Sequence, residues 1–288
     1  RETAPDHSWL SKTRNRLPHE VHEQVFSWVL ALVAERGLVM GERVGVDSST
    51  MEANAALRTI VRRDSGETYR EMLMRMAVES GVETPTIDEL IQLDRALKGK
   101  KLSNADWTSP TDPDAKIARM KDGTTHLAYK PEHAVDLDTG VIVAALIHAA
   151  DNGDTTTLPG TLEASGRNLA SVGLAPTLDD PCVLVGDKGY HSREGLKRLD
   201  GGIWKTRIAE PKPANGYLRW QGDTAARQAV YANRAWLRSV VGRDAMRRRG
   251  EMVEPSFPPL LDRLGLRRPC LPWRAHVPQR HLIPVRAL

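Results

Sequence analysis

Two apolar runs, His126–Leu137 and Val141–Ala150, flank the tripeptide Asp138-Thr139-Gly140. A short Gly-containing turn between runs of this length predicts an antiparallel hairpin. The chain is therefore committed to a sheet, and other strand-sized segments can extend it. Arg43-Val44-Gly45-Val46-Asp47 is one. Pro181–Gly186 is a second, and its Cys182-Val183-Leu184-Val185 stretch lacks polar alternation, as in a strand buried on both faces. Gly202–Ile208 is a third.

Helical patterns separate these strands. In residues 18–36, Val21, Val25, Trp28, Val29, Leu32 and Val33 recur at helical spacing between Pro18 and Gly37. Residues 52–98 read as helical, with breaks at Asp64-Ser65-Gly66 and Thr84-Pro85, and residues 103–124 are turn-rich. Thr155–Ser171, Ser192–Leu199 and Ala225–Arg249 complete the set. This order predicts an α/β fold: one mixed sheet flanked by helices, with a helical insertion at about 52–120 after the first strand. A helical segment at 1–40, a main domain at 41–257 and an irregular tail at 258–288 are expected. Seven of the 18 prolines fall in residues 255–288.

Composition excludes several classes. No apolar run approaches the roughly 18–20 residues of a membrane helix, so no membrane partner is expected. Two distant cysteines, Cys182 and Cys270, exclude a disulfide scaffold or a cysteine-rich zinc module. They suit a reducing cytoplasm. The chain starts at Arg1 without a signal-peptide pattern, which reads as a missing beginning. Net charge is +4, but residues 231–288 carry twelve arginines against four acids, leaving the first 230 residues with an excess of acid. A basic end on an acidic body suits a polyanion.

Two acids end separate apolar strands, Asp47 and Asp187. Carboxylates gathered at adjacent strand ends need a cation, and hard oxygen donors suit Mg²⁺. A third acid would complete a site for two ions acting on a phosphoryl group. The competing reading is that each Asp caps the turn that follows it. Asp136 and Asp138, two apart on a strand, face the same way but read as structural. His133 and His191 are candidates for phosphate contact or proton transfer, set against ordinary core or surface roles. Lys188, Tyr190, Arg234 and Arg238 are candidate contacts to a phosphate backbone, each set against an ordinary exposed side chain. Trp107, Trp220 and Trp236 are candidates for base stacking, set against plain packing. His19-Glu20-Val21-His22-Glu23 lacks the second histidine of a zinc-protease motif and reads as helix surface.

The words around the two acids are informative. Val44-Gly45-Val46-Asp47-Ser48-Ser49-Thr50 and Val183-Leu184-Val185-Gly186-Asp187-Lys188-Gly189-Tyr190-His191-Ser192 closely resemble the catalytic blocks of bacterial insertion-sequence transposases of the Asp-Asp-Glu class. Matching words lie at residues 60–67, 122–136 and 247–254, in the same order. The resemblance implies a ribonuclease H-like core with Asp47, Asp187 and Glu254 as catalytic metal ligands. Glu251 is the rival third acid. It also implies two Mg²⁺ ions, with Mn²⁺ as substitute, and double-stranded DNA as partner at both element ends and target. The implied reaction cuts a DNA strand with water, and the freed 3′-OH then attacks target DNA. A homodimer and a cytoplasmic, nucleoid-associated location in a bacterium follow from the same resemblance. The family carries Arg after the last Glu, where this chain has Pro255. Proline interrupts a helix, so the helix is expected to stop or kink there. Two alternatives stay open: a decayed remnant that only binds DNA, and a related metal-dependent nuclease.

Overall fold

The computed structural model describes residues 16–97, 103–120, 122–212, 220, 222–263, 265–267, 277–278 and 281–282. The first 15 residues of the expected N-terminal segment, Cys270 and most of the tail lie outside the described residues.

The hairpin forms as expected, from β6 (Thr125–Asp136) and β7 (Ile142–Ala149). β1 (Arg43–Ser48) lies antiparallel to β6 on its other side. β8 (Cys182–Gly186) is parallel to β1, and β9 (Trp204–Ile208) is parallel to β8. Across the sheet the order is therefore β7-β6-β1-β8-β9, antiparallel in one half and parallel in the other. Val44, Val46, Leu184 and Val185 are fully buried, as strands covered on both faces require. At Gly45 an added Cβ would come within 2.6 Å of Leu137 and 2.7 Å of Val253. The missing side chain lets the segment behind β1 approach closely.

Seven α-helices can be named among the described residues. They are α1 (His19–Glu35), α2 (Tyr69–Glu79), α3 (Ile87–Ala96), α4 (Asp154–Ser171), α5 (Arg193–Leu199), α6 (Thr224–Arg238) and α7 (Val240–Met252). α4 packs on β7, α6 on β9, and α7 on β1 and β8. Phe26 and Leu30 of α1 join the same core.

The insertion departs from its expected helical character. Among its described residues α2 and α3 are the α-helices, following the expected breaks at Asp64-Ser65-Gly66 and Thr84-Pro85, and each is opened by a reciprocal cap, Thr68 with Glu71 and Thr86 with Glu89. β2 (Met51–Glu52) and β5 (Lys116–Arg119) pair with β6. β3 (Val61–Arg62) pairs with β4 (Trp107–Thr108). The cause lies in β6, which is 12 residues long against six in β1. Its N-terminal half extends beyond β1, and its main-chain groups need other partners. Residues around 51 and 116 supply them.

The single helix expected over Ala225–Arg249 is broken at Ser239. The Ser239 hydroxyl donates to the Trp236 carbonyl at 2.6 Å and accepts from the Gly242 amide at 3.0 Å. It closes one helix and caps the next. A Cβ on Gly242 would overlap the Trp236 carbonyl oxygen, so only glycine allows so tight a junction.

α7 ends at Met252, and Glu254–Ser256 forms a 3₁₀ turn with Pro255 inside it. The expected interruption occurs there. Behind this turn His133 of β6 is completely buried. Its Nδ1 lies 2.7 Å from Ser256 Oγ, and its Nε2 lies 2.8 Å from His281 Nε2. The ring stacks on Phe257 at 4.2 Å. Described parts of the tail thus contribute to the core through Val277, His281 and Leu282.

This pair predicts acid sensitivity. Burial lowers both rings, His133 well below its ordinary value and His281 to about 4. Between pH 6.5 and about 4 the unfolded chain takes up protons that the folded chain refuses. Stability therefore falls as pH falls through that window, by up to about 1.4 kcal/mol per pH unit per histidine. Denaturant midpoints between pH 7 and pH 5 check this. Replacing His281→Phe is expected to flatten the dependence.

Candidate active site

β1 and β8 run side by side in parallel, with Gly45 opposite Val185. Two residues further on come Asp47, still within β1, and Asp187, just beyond β8, so the two acids lie at the same end of the sheet. Asp187 also caps the turn that follows it, as the competing reading held, whereas Asp47 lies within β1 rather than at a cap position. Asp47 Oδ1 accepts from the Ser48 amide at 2.8 Å, and Asp187 Oδ1 accepts from the Gly189 amide at 2.8 Å. Each of these bonds uses one oxygen of the carboxylate.

A cleft of ≈ 540 Å³ is bordered by Asp47, Asp187 and Glu254 together with Arg249, Arg267 and Asp122. The rival Glu251 is not among its walls. Its carboxylate is held at 2.6 Å by Arg247 on the exposed side of α7. The reason is the helix end. Beyond Met252 the chain turns more tightly, which aims Glu254 into the cleft and leaves Glu251 outside.

Arg249 is the feature that sequence reasoning missed. It is 7% exposed. Its Nη2 lies 2.8 Å from Asp47 Oδ2 and its Nη1 lies 3.4 Å from Glu254 Oε1. Its Nε donates to the Val46 carbonyl at 3.2 Å. Three consecutive arginines at 247–249 carried no mark of which one turns inward.

Next to the cleft lies a buried polar cluster that also escaped the sequence reading. Lys130 Nζ lies 2.6 Å from Asp154 Oδ1 and donates to Thr157 Oγ1 at 3.1 Å. Glu132, completely buried, accepts from the Thr157 hydroxyl. Ser48, beside Asp47, donates to Asp154 Oδ1 at 2.9 Å. Burial pushes the Glu132 carboxyl up, against the hydrogen bonds from Thr157 and Thr161 and the charge of Lys130. The sequence signal was Lys130 and Glu132 two apart, and so on one face, in the middle of a strand.

Several candidates are placed elsewhere. Tyr190 is 2% exposed and packs under the end of β8, so it does not reach a DNA backbone. His133 is sealed in the core and cannot meet a phosphate. His191 is partly buried, and burial lowers its ring. Lys188 and Arg238 are exposed. Arg234 is held by two bonds to Glu210, at 2.8 and 2.7 Å, so its charge is already matched. Asp136 accepts from the Met40 and Gly41 amides, and Asp138 pairs with Arg43. Trp107 is buried edge-on against Tyr69. One face of Trp220 is covered by Arg193 and one face of Trp236 by Arg207.

The donor chemistry of the cleft fits a divalent cation. Asp47, Asp187 and Glu254 offer the hard oxygens that Mg²⁺ takes. As they stand, no three His, Cys, Asp or Glu side chains among the described residues are gathered closely enough to hold an ion. The Arg249 guanidinium stands between two of the three as the local positive charge. Among the described residues no helix is long and apolar enough to cross a membrane.

No curated protein and no solved structure matches the chain. The family model of the transposase DDE domain matches residues 99–269. That stretch takes in Asp187, Glu254 and Arg249 but not Asp47. It covers more than half of the 288 residues, and the sheet brings Asp47 to the same cleft. The protein is thus a member of the transposases with a DDE domain.

Proposed function

We infer that the protein is a DNA transposase that cleaves strands at the ends of its element and joins them to target DNA in a metal-dependent reaction. The observation that carries this reading is the cleft shared by Asp47, Asp187 and Glu254. The fold is read as a ribonuclease H-like domain at 41–257 interrupted by the 52–120 insertion. The strand order β7-β6-β1-β8-β9, with acids ending the central β1 and the adjacent β8, supports it.

In this reading Asp47, Asp187 and Glu254 hold Mg²⁺ or Mn²⁺, as two ions. Bound there, the metal supplies positive charge opposite the reacting phosphate. The chain's own part is placement. β1 and β8 hold two carboxylates at a fixed spacing, and the 3₁₀ turn brings the third. Water attacks the phosphorus and the bond to the 3′-oxygen breaks, which leaves a 3′-OH. That hydroxyl then attacks a target phosphodiester and displaces its 3′-oxygen. Double-stranded DNA meets the protein through exposed cations such as Lys188 and Arg238, and such contacts weaken as salt rises. A homodimer would bring two element ends together, and a cytoplasmic, nucleoid-associated location suits the substrate.

A second reading is a copy that binds DNA but no longer cuts it. Pro255 directly after Glu254, and the lack of a preformed three-ligand cluster among the described residues, favour it. A strand-cleavage assay decides, using DNA that carries the inverted repeats flanking the gene, with Mg²⁺ or Mn²⁺. Cleavage that Glu254→Gln lowers at least roughly 100-fold, and Glu251→Gln lowers less than about threefold, supports the transposase reading. No cleavage by folded, DNA-binding protein supports the second.

A further inference from the structure

We propose that Arg249 is the resident counter-cation of the cleft, occupying the space between Asp47 and Glu254, and that a divalent cation loads there only by displacing it. The inference rests on the reading of Asp47 and Glu254 as metal ligands. It concerns what those carboxylates do before the metal arrives.

Two observations carry it. The guanidinium contacts both carboxylates at once, at 2.8 and 3.4 Å. It is buried and anchored to the Val46 carbonyl, one residue before Asp47. A dication entering between Asp47 and Glu254 meets a fixed positive charge already bonded to both. Arginine's planar fork suits such bridging, whereas lysine offers a single point charge.

The arrangement has two opposing consequences. Without metal, Arg249 cancels repulsion between the carboxylates and keeps β1 and the 3₁₀ turn together. With metal, it competes. The second effect dominates binding, since a guanidinium bonded to the donor oxygens uses the lone pairs the ion requires.

The test measures Mn²⁺ binding to the full chain without DNA, by counting free Mn²⁺ in electron paramagnetic resonance. Wild type, Arg249→Met, Arg249→Lys and Asp187→Asn are compared. Arg249→Met is expected to bind Mn²⁺ about tenfold more tightly, a change of about 1.4 kcal/mol. Its metal-free melting temperature should be lower, and the rise on adding Mn²⁺ larger than in wild type. Arg249→Lys should fall between. Equal or weaker binding by folded Arg249→Met overturns the proposal. Should Arg249→Met fail to fold, Arg249→Met with Glu254→Gln removes both charges and is compared with Glu254→Gln alone. Tighter binding by the double variant supports displacement, and unchanged or weaker binding overturns it. The Asp187→Asn control separates the two levels. Mn²⁺ binding that ignores Asp187 sinks the metal-site reading itself. Binding that depends on Asp187 but ignores Arg249 sinks only the present proposal.

Discussion

Asp187→Asn is expected to lower metal-dependent strand cleavage by at least roughly 10³-fold while leaving the unfolding midpoint and DNA affinity close to wild type. The separation of effects comes from where Asp187 sits. It stands just beyond β8 and caps the short turn Lys188–Tyr190 by accepting from the Gly189 amide. Asparagine keeps an acceptor oxygen in that place and caps about as well as aspartate. The fold therefore loses little, and what disappears is a negative charge facing the cleft. Losing several kcal/mol of charge stabilisation at a phosphoryl transition state corresponds to a rate loss of this size. Asp47→Asn is a less clean probe. It also weakens the bond to buried Arg249, so activity and stability would fall together. Cleavage rates with end-bearing DNA, beside binding curves at two salt concentrations, check the expectation. An Asp187→Asn protein that cuts at the wild-type rate would remove Asp187 from the mechanism.

That Asp47 and Asp187 come to one end of the sheet was legible because both follow apolar strand-sized runs, while their proposed role as metal ligands came from the resemblance. Once β1 and β8 pair in parallel, the two residues meet. Glu254 was legible only by its resemblance to a family word. Spacing alone placed Glu251 and Glu254 on roughly one helix face, and the structure separates them by ending the helix between them. Arg249 was illegible, since its role depends on the rotation of α7 against β1. Tyr190 reads as a surface contact in a glycine-rich polar stretch, yet the tight turn after Asp187 folds it beneath the strand. The insertion misled in a similar way. Residues 52–68 read as helical, but the overhanging half of β6 needs hydrogen-bond partners, and this non-local demand overrides local pattern. The hairpin, α4 and α5 were read closely because each is specified by its own turn or periodicity.

Lys130→Met should be the most destabilising single change near the cleft, by about 3–5 kcal/mol. Lys130 is 5% exposed and its ammonium faces two acids, Asp154 at 2.6 Å and Glu132 at 3.8 Å. Glu132 is completely buried, and burial already holds its carboxyl above the ordinary value of 4.5. Removing the ammonium leaves two like charges without their counter-ion, which is the costly way to break a buried pair. The pH dependence follows from the direction of that shift. An acid raised in the folded state binds its proton more tightly there than in the unfolded chain, so its contribution is best in acid and is lost as pH rises through the folded value. Without Lys130 the Glu132 carboxyl is pushed further up. The deficit of the variant should therefore be largest near neutral pH and should shrink toward pH 4.5. Adding Glu132→Gln to Lys130→Met should recover at least half of the loss, because the uncompensated charge is gone. Denaturant midpoints of the two single variants and the double, each at pH 7 and pH 5, give the cycle. Additive losses independent of pH would mean that Lys130 acts by packing alone. Because Ser48 bonds Asp154 directly beside Asp47, a charge-driven rearrangement would also displace the cleft. Cleavage by the double variant should then exceed cleavage by Lys130→Met under conditions where both are folded.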